Sequence, residues 1–262
     1  MNIRPPNRTL LTHRPGPLLA PYIESFWYYD GGQTAQHKER VLPNGRFQIV
    51  MDLEAGPGTV SGMRSQSTVI DMAAIRPVLG VVFQPGGARG FFDVPADDFY
   101  NRVVPLDLVW GSRVTEWREA VTVGEKFRVL ETELLQVLQR GAEERIALHP
   151  AVQYGLGEFR RVPHLQSVIE VSREAGLSRR RFSQLFREQV GITPKVYCRL
   201  LRFRGVVRQI GAGRPVDWAE VALGGGYYDQ AHLAHEFRDF SGLSPSSYLA
   251  AERPSLNHVR LD

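Results

Sequence analysis

Side-chain hydrogen-bond donors are concentrated in one short stretch, residues 178–188. They are Arg179, Arg180, Ser183, Gln184 and Arg187, and most of the intervals between them are those of one helix face. Guanidinium and amide groups donate to phosphate oxygens and to the purine edges of a major groove. A face that is only solvated usually mixes Glu and Lys, whereas this one has a single acid, Glu188, near its far end. The residue types therefore favour nucleic-acid recognition over a solvated surface.

This stretch belongs to a unit that occurs twice. Ser178 begins Ser-x3-Phe-x3-Phe-x4-Gly-Ile-Thr-Pro-x2-Tyr, and Asp229 begins Asp-x3-Leu-x3-Phe-x4-Gly-Leu-Ser-Pro-x2-Tyr. Every matched pair is offset by 51 residues, the interval from Ser178 to Asp229. Two copies of one helical unit predict two similar binding surfaces.

Each unit carries the local signals of a helix-turn-helix. Ser178 is a good N-cap, and Gly191 is a natural C-cap for the helix between them. A shorter helix is predicted over 165–175, with Ile169 facing inward, and Gly176 ends it. Helix, tight glycine turn and second helix form the helix-turn-helix arrangement.

The second unit has the same frame with fewer long donors. The offset carries the predicted contact face to Gln230, Ala231, His232, His235 and Arg238. The first unit is therefore predicted to discriminate base sequence more sharply. Between the units, residues 193–210 predict one helix, roughly 27 Å long at 1.5 Å per residue. Such a helix could hold two recognition helices about one DNA turn, ~34 Å, apart on one side of the duplex.

The segment from about Ala151 to Tyr248 resembles the DNA-binding domain of AraC/XylS-family transcription regulators. The resemblance rests above all on Gly226-Tyr-Tyr-Asp-Gln-Ala-His-Leu-Ala-His-Glu-Phe-Arg and Gly242-Leu-Ser-Pro-Ser-Ser-Tyr. It implies seven helices, with the two recognition helices in successive major grooves. It also implies base contacts at Arg180, Ser183, Gln184, Ala231, His232 and His235.

Charge supports a polyanion partner independently. Residues 1–145 carry 16 basic and 17 acidic side chains, and residues 146–262 carry 16 and 11, which gives −1 and +5 and the whole-chain +4. A basic half beside a nearly neutral one is typical of nucleic-acid binding with salt-sensitive affinity. A membrane surface is the rival polyanion, and it is disfavoured because the basic helices bury their apolar faces in their own core.

Residues 1–145 predict a β-rich domain that continues into helices. Strand-like runs at 25–29, 47–51, 68–70 and 78–83 are separated by glycine-rich turns, and helical spacing follows over 112–140. With residues 146–252 as the double helix-turn-helix domain, the fold class is α+β. The domain boundary is expected near Gly141–Ala147.

This first half resembles the sensor domains that precede such DNA-binding domains in some AraC-type regulators. The matching stretches include Leu42-Pro-Asn-Gly-Arg-Phe-Gln-Ile-Val and Gly80-Val-Val-Phe-Gln-Pro-Gly-Gly-Ala-Arg-Gly. The resemblance implies a cupin-like barrel that holds a small-molecule effector. Aromatic residues alternate across strand 25–29, so Trp27 and Tyr29 are candidate pocket residues with Arg46 as a polar anchor, and core packing is the alternative. The leucine stripe at 130–138 is a candidate homodimer surface or ordinary packing.

The residues disfavour an enzyme. Residues 1–145 contain only His13 and His37, so the His-x-His metal site of cupin oxygenases is not expected, and no catalytic set, metal or cofactor is predicted. The single cysteine, Cys198, excludes disulfide frameworks within one chain and is interpreted as packing rather than redox sensing. No apolar run of ~18 residues is present, so a cytoplasmic protein without membrane contact is expected.

The sequence thus predicts a sequence-specific regulator that binds double-stranded DNA and recruits or blocks RNA polymerase. Activation of transcription is the working expectation, although the residues do not distinguish an activator from a repressor. Two other classes stay open: a ligand-binding enzyme with a secondary DNA-binding module, and a nonspecific architectural DNA binder. The latter would use backbone contacts and wedges rather than Arg and Gln base readers.

Overall fold

Antiparallel strands form most of the first half of the chain, and helices form the second. The computed structural model describes residues 10–30, 37–54, 56–74, 76–121, 125–140, 147–161, 167–211 and 215–261. The strands are β1 (Leu10–His13), β2 (Ile23–Tyr29), β3 (Lys38–Val41), β4 (Gln48–Asp52), β5 (Thr59–Ser61), β6 (Thr68–Asp71), β7 (Val78–Phe83), β8 (Val103–Pro105) and β9 (His258–Leu261). Short 3-10 helices lie at Met72–Ala74, Gly87–Phe91 and Ala96–Phe99.

The helices follow the strands in chain order. They are α1 (Asp107–Trp110), α2 (Arg113–Ala120), α3 (Lys126–Arg140), α4 (Pro150–Arg161), α5 (Val168–Glu174), α6 (Arg179–Val190), α7 (Pro194–Ile210), α8 (Trp218–Gly224), α9 (Gln230–Ser241) and α10 (Pro245–Ala250). The α+β class is confirmed, and so are the four predicted strands. The predicted helical segment 112–140 is two helices, α2 and α3. The expected boundary at Gly141–Ala147 lies almost wholly outside the described residues.

Six strands pair in the order β1-β2-β7-β4-β5-β8, with β7 near the centre. Trp27 of β2 lies opposite Gly80 of β7, and a Cβ at position 80 would come within 2.0 Å of the Trp27 ring. Glycine is therefore required there for the indole to cross the neighbouring strand. An aromatic core fills one face of this sheet: Phe47 and Phe99 have ring centroids 5.2 Å apart.

The second sheet joins the first half of the chain to the last described strand. Its order is β6-β3-β9, so the last described strand pairs with β3 in the first half. Glu39 of β3 is buried, and it hydrogen-bonds His37 at 2.9 Å and His258 of β9 at 2.7 Å. Burial works to raise the pKa of Glu39, but the hydrogen bonds to His37 and His258 outweigh it and lower the pKa.

The helical half also packs directly on the strands. Leu42 and Met63 belong to the same buried cluster as the helical core, whose largest side chains include Phe182 and Phe203. The turn at Gly45, where φ is +68°, lies against α7, since a Cβ there would be 3.2 Å from Leu200 Cδ2. The two halves therefore share a core.

Candidate nucleic-acid interface

Helix α6 is built by the local signals expected of it. The Ser178 hydroxyl accepts from the Arg181 N–H at 3.3 Å, and Gly191 ends the helix with φ of +97°. Phe182, Leu185 and Phe186 are buried along its inner face. Because this stripe fixes the rotation of the helix, the side chains on its other face are held toward solvent.

That outer face presents the predicted donors. Arg179, Arg180, Gln184 and Arg187 are exposed, and Ser183 is half-buried. A surface groove of about 370 Å³ is lined by Arg180, Ser183, Gln184, Arg187 and Thr193. Gln184 donates to Glu188 at 2.8 Å and accepts from Arg181 at 3.4 Å. These surface bonds must open before Gln184 can pair with a base.

A second groove lies beside the first. Its volume is about 430 Å³, and its lining includes Ser167, Arg179, Thr193 and Lys195. Thr193 caps α7 by accepting from the Val196 N–H at 3.4 Å. The start of a 17-residue helix, with Lys195 and Arg179 beside it, is an environment that favours negative charge.

Helix α9 repeats the frame of α6. Asp229 caps it by accepting from the His232 N–H at 2.7 Å, and Leu233 and Phe237 are buried beneath it. On the outer face Gln230, Ala231, His235 and Arg238 are exposed. His232 is half-buried, and its Nδ1 accepts from the Tyr228 N–H at 3.2 Å, while its Nε2 lies 3.7 Å from Glu236 Oε1.

The two units differ by one residue in the turn. One residue lies between Gly176 and its cap Ser178, whereas two lie between Gly226 and Asp229. The additional residue is Tyr228, which is 92% exposed directly before the recognition helix. Sequence reasoning did not single it out, although the changed spacing between glycine and cap was the available signal.

A charged network fixes α9 on α7. Glu236 accepts from Arg199 at 2.7 Å and from Arg202 at 3.1 Å, and Arg199 also reaches Asp239 at 3.0 Å. Burial works to lower the pKa of Arg199, but the bonds to Glu236 and Asp239 outweigh it and raise the pKa. Because Glu236 lies between two arginines of α7, it sets how the second recognition helix is held on the linker helix.

Helix α5, which precedes α6, is shorter than predicted, and one of its residues faces solvent instead of the core. The Ser167 side chain caps this helix by accepting from the Ile169 N–H. Residue 165, where the predicted helix begins, lies outside the described residues. The inward position predicted for Ile169 is wrong, since the side chain is 58% exposed. Val171 and Ser172 are buried instead, and the Ser172 hydroxyl donates to the Ile169 carbonyl at 2.9 Å.

The predicted effector residues lie in two places. Phe26 and Tyr28 pack in or against the aromatic core, and the alternation of the strand puts Trp27 and Tyr29 on the opposite face. Arg46 pairs with Glu24 at the turn that meets α7. The inward aromatic pair is thus Phe26 with Tyr28.

Other chemistry is limited in the described part of the chain. Within the described ranges, no three His, Cys, Asp or Glu residues are grouped so that they could hold a metal ion. Across the same residues, none of the helices combines the length and the apolar character that a bilayer crossing needs. Cys198 lies in α7, and burial raises the pKa of its thiol to about 12.

Comparison with protein families matches both halves of the chain. Residues 171–251 match the family described as Helix-turn-helix domain, and residues 11–105 match a Domain of unknown function (DUF6597). Over 89 residues the chain is 38% identical to the Probable transcriptional regulator LumQ of Photobacterium leiognathi. That alignment covers 32% of this chain and 35% of the relative, so the chain spans about a third of the relative's length.

Solved structures with similar coordinates are distant in sequence. An AraC-type transcriptional regulator of Chromobacterium violaceum is 18% identical, with 40% of this chain and 96% of that chain covered and a TM-score of 0.36. ToxT of Vibrio cholerae is 8% identical, with 94% and 98% covered and a TM-score of 0.43. ToxT with a bound unsaturated fatty acid is 10% identical, with 94% and 97% covered and a TM-score of 0.41.

Proposed function

Because the C-terminal part of the chain is a helix-turn-helix domain of the AraC type, we propose that the protein is a sequence-specific transcription regulator that binds double-stranded DNA. The observation that carries the proposal is the outer face of α6. Arg180, Gln184 and Arg187 are exposed at positions i, i+4 and i+7, above a fully buried inner stripe. Arg and Gln at such positions hydrogen-bond guanine and adenine edges, and Arg also binds phosphate.

The linker helix gives the two units a fixed separation. Helix α7 has 17 residues, which is about 25 Å of length at 1.5 Å per residue. Recognition helices that read one face of a duplex are separated by one turn, ~34 Å. A helix of this length, with α6 and α9 packed beside it, supports simultaneous entry into two successive major grooves.

The two units are proposed to contribute unequally. The face of α6 offers several long donors, whereas α9 offers Ala231, whose methyl can meet a thymine methyl, and His235. Gln184→Ala is therefore expected to relax base preference more than His235→Ala does. Equal losses of preference in the two variants would contradict this asymmetry.

Selection of bound sequences from a random duplex library tests the proposed function. The expected result is one motif with base preferences in two successive major grooves. Arg180→Ala is expected to weaken binding of that motif by about 1–3 kcal/mol and to relax one position. Arg128→Ala, which removes the same charge from the exposed end of α3, is the matched control and should leave the motif unchanged. A flat selection favours the nonspecific architectural binder and overturns the proposal.

We also propose that a small molecule controls the protein through its first half. Trp27 and Tyr29 are candidate binding residues on the sheet face opposite the aromatic core, and Arg46 is a separate candidate at the turn against α7. The position of Arg46 at the turn against α7 supports a route from such a site to the DNA-binding half. A panel of small molecules screened for a shift in melting temperature tests this control. A compound that shifts the wild type but not Trp27→Ala supports it, and a hit that shifts both equally assigns the effector to other residues.

The remaining partners follow from the same proposal. RNA polymerase is the expected protein partner at a promoter, no enzymatic activity is assigned, and the cytoplasm is where such a regulator meets DNA. A homodimer through α3 would have to use Leu135 and Leu138, which are half-buried, because Leu130 and Leu134 are already buried in the aromatic core.

A further inference from the structure

The first recognition helix is in direct contact with the first half of the chain. Helix α6 packs on the 3-10 helix Ala96–Phe99 and on the 3-10 helix Gly87–Phe91. A Cβ at its C-cap, Gly191, would lie 3.1 Å from the Ala96 carbonyl oxygen and 3.4 Å from Met63 Cγ. The far end of α6 is therefore seated against the β-rich half.

One ion pair crosses this contact on the donor-bearing side of the helix. Arg187 Nε lies 3.0 Å from Asp97 Oδ2. The Arg187 side chain is 54% exposed and the Asp97 side chain is 20% exposed. Arg187 also lines the groove formed with Arg180, Gln184 and Thr193. The carboxylate of Asp97 thus already binds one of the side chains proposed to contact DNA.

The segment that supplies Asp97 is acidic. Asp93, Asp97 and Asp98 lie within six residues, and Asp93 and Asp98 are exposed. Carboxylate oxygens and phosphate oxygens are both good acceptors for a guanidinium fork. Acids at this position also repel an approaching phosphate backbone.

We propose that Asp97 is an intramolecular competitor of the DNA phosphate for Arg187, so that the β-rich half restrains DNA binding by the first helix-turn-helix. This inference rests on the proposed function, because it assigns a regulator to the same face of α6. DNA binding must exchange the Asp97 carboxylate for a phosphate oxygen. Any rearrangement that withdraws the 3-10 helix Ala96–Phe99 from α6 frees Arg187 and raises affinity.

The size of the effect follows from the exposure of the pair. Partly exposed ion pairs contribute up to about 1 kcal/mol, which is about fivefold in an equilibrium constant. Asp97→Asn keeps the shape of the side chain and removes the charge, and the backbone bond from Tyr100 N to the Asp97 carbonyl is retained. The variant is therefore expected to bind duplex DNA about two- to fivefold more tightly.

Fluorescence anisotropy on full-length chains tests the competition with a double-mutant cycle. The proteins are wild type, Asp97→Asn, Arg187→Ala and the double variant, with Asp98→Asn as the matched loss of one neighbouring charge. The probes are a random-sequence duplex and the motif selected by the wild type. Tighter binding is expected for Asp97→Asn, less for Asp98→Asn, and no gain is expected from Asp97→Asn once Arg187 is Ala.

Three results would overturn the proposal. Asp97→Asn binding no tighter than wild type would mean that Asp97 does not compete, and weaker binding would mean that it orients Arg187 for DNA. A gain that persists without Arg187 would mean a general charge effect. Equal melting temperatures of wild type and Asp97→Asn check that the fold is kept. Failure of the proposed function is a separate result, in which the wild type binds no duplex or selects no motif.

Discussion

Glu236→Gln is the perturbation that most directly tests how the second recognition helix is held. The Glu236 side chain is 8% exposed and accepts from Arg199 and Arg202 of the linker helix. Glutamine has the same shape, but it keeps one acceptor oxygen and turns an NH2 group toward one of the arginines. One charge-assisted hydrogen bond is lost, and a donor is left facing a cation.

The magnitude depends on how far the arginines are from solvent. Hydrogen bonds to charged groups contribute about 1.5–3 kcal/mol each. The Arg199 and Arg202 side chains are 29% and 17% exposed, which allows water to compensate in part. A loss of about 2–3 kcal/mol in the free energy of unfolding is therefore expected, which lowers the melting temperature by roughly 5–10 °C.

Thermal unfolding and DNA binding check this expectation together. Glu252→Gln is the control, because Glu252 pairs with Arg260 at 2.9 Å with 68% of its side chain exposed, and a loss below about 1 kcal/mol is expected there. Glu236→Gln should also weaken binding to the two-groove motif while base preference in the groove read by α6 is kept. Equal melting temperatures for the two variants would refute the reasoning.

Three further outcomes follow from two titratable groups and from one turn. Cys198, whose thiol has its pKa raised to about 12 by burial, is expected to resist iodoacetamide at pH 8 in the folded protein and to react after unfolding; rapid labelling of the native chain would contradict this. Although burial works to raise the pKa of Glu39, its bonds to His37 and His258 lower it, so the stabilisation is fully present above the ordinary carboxyl pKa and is lost as the pH falls through the folded pKa. The difference in unfolding free energy between wild type and Glu39→Gln should therefore shrink on acidification, and a constant difference in urea titrations would count against it. Gly45→Ala should cost about 1–2 kcal/mol by thermal melt, because φ is +68° and the new Cβ would lie 3.2 Å from Leu200; an unchanged melt would contradict it.

The helical half could be predicted from sequence because its determinants are local. Ser178, Gly191 and Asp229 cap or end their helices as expected, and the apolar spacing between them fixes the buried face. A cap acts within one helical turn, so its effect is readable without knowledge of the rest of the chain. Ile169 was misjudged because the buried face of α5 is set by contacts with α4 and α6, which the spacing in a seven-residue helix does not define.

The contacts between the halves could not be predicted, because nothing local encodes them. Glu39 meets His258 across 219 residues of sequence, and the strand that carries His258 has only four residues. Arg187 meets Asp97 through the packing of α6 on a 3-10 helix, and the sequence of neither segment indicates which segment it packs against. Long-range pairs of this kind depend on the folded arrangement of the whole chain.

A spacing series on the selected motif tests the central claim, which is that α7 holds two recognition helices at one fixed separation. Base pairs are inserted between the two half-sites, and affinity is measured for each duplex with footprints of both grooves. A rigid helix of about 25 Å predicts that about five inserted base pairs abolish joint occupancy, and that a full turn of about ten does not restore it. Affinity that is indifferent to the insertion, or recovered at one full turn, would contradict the account.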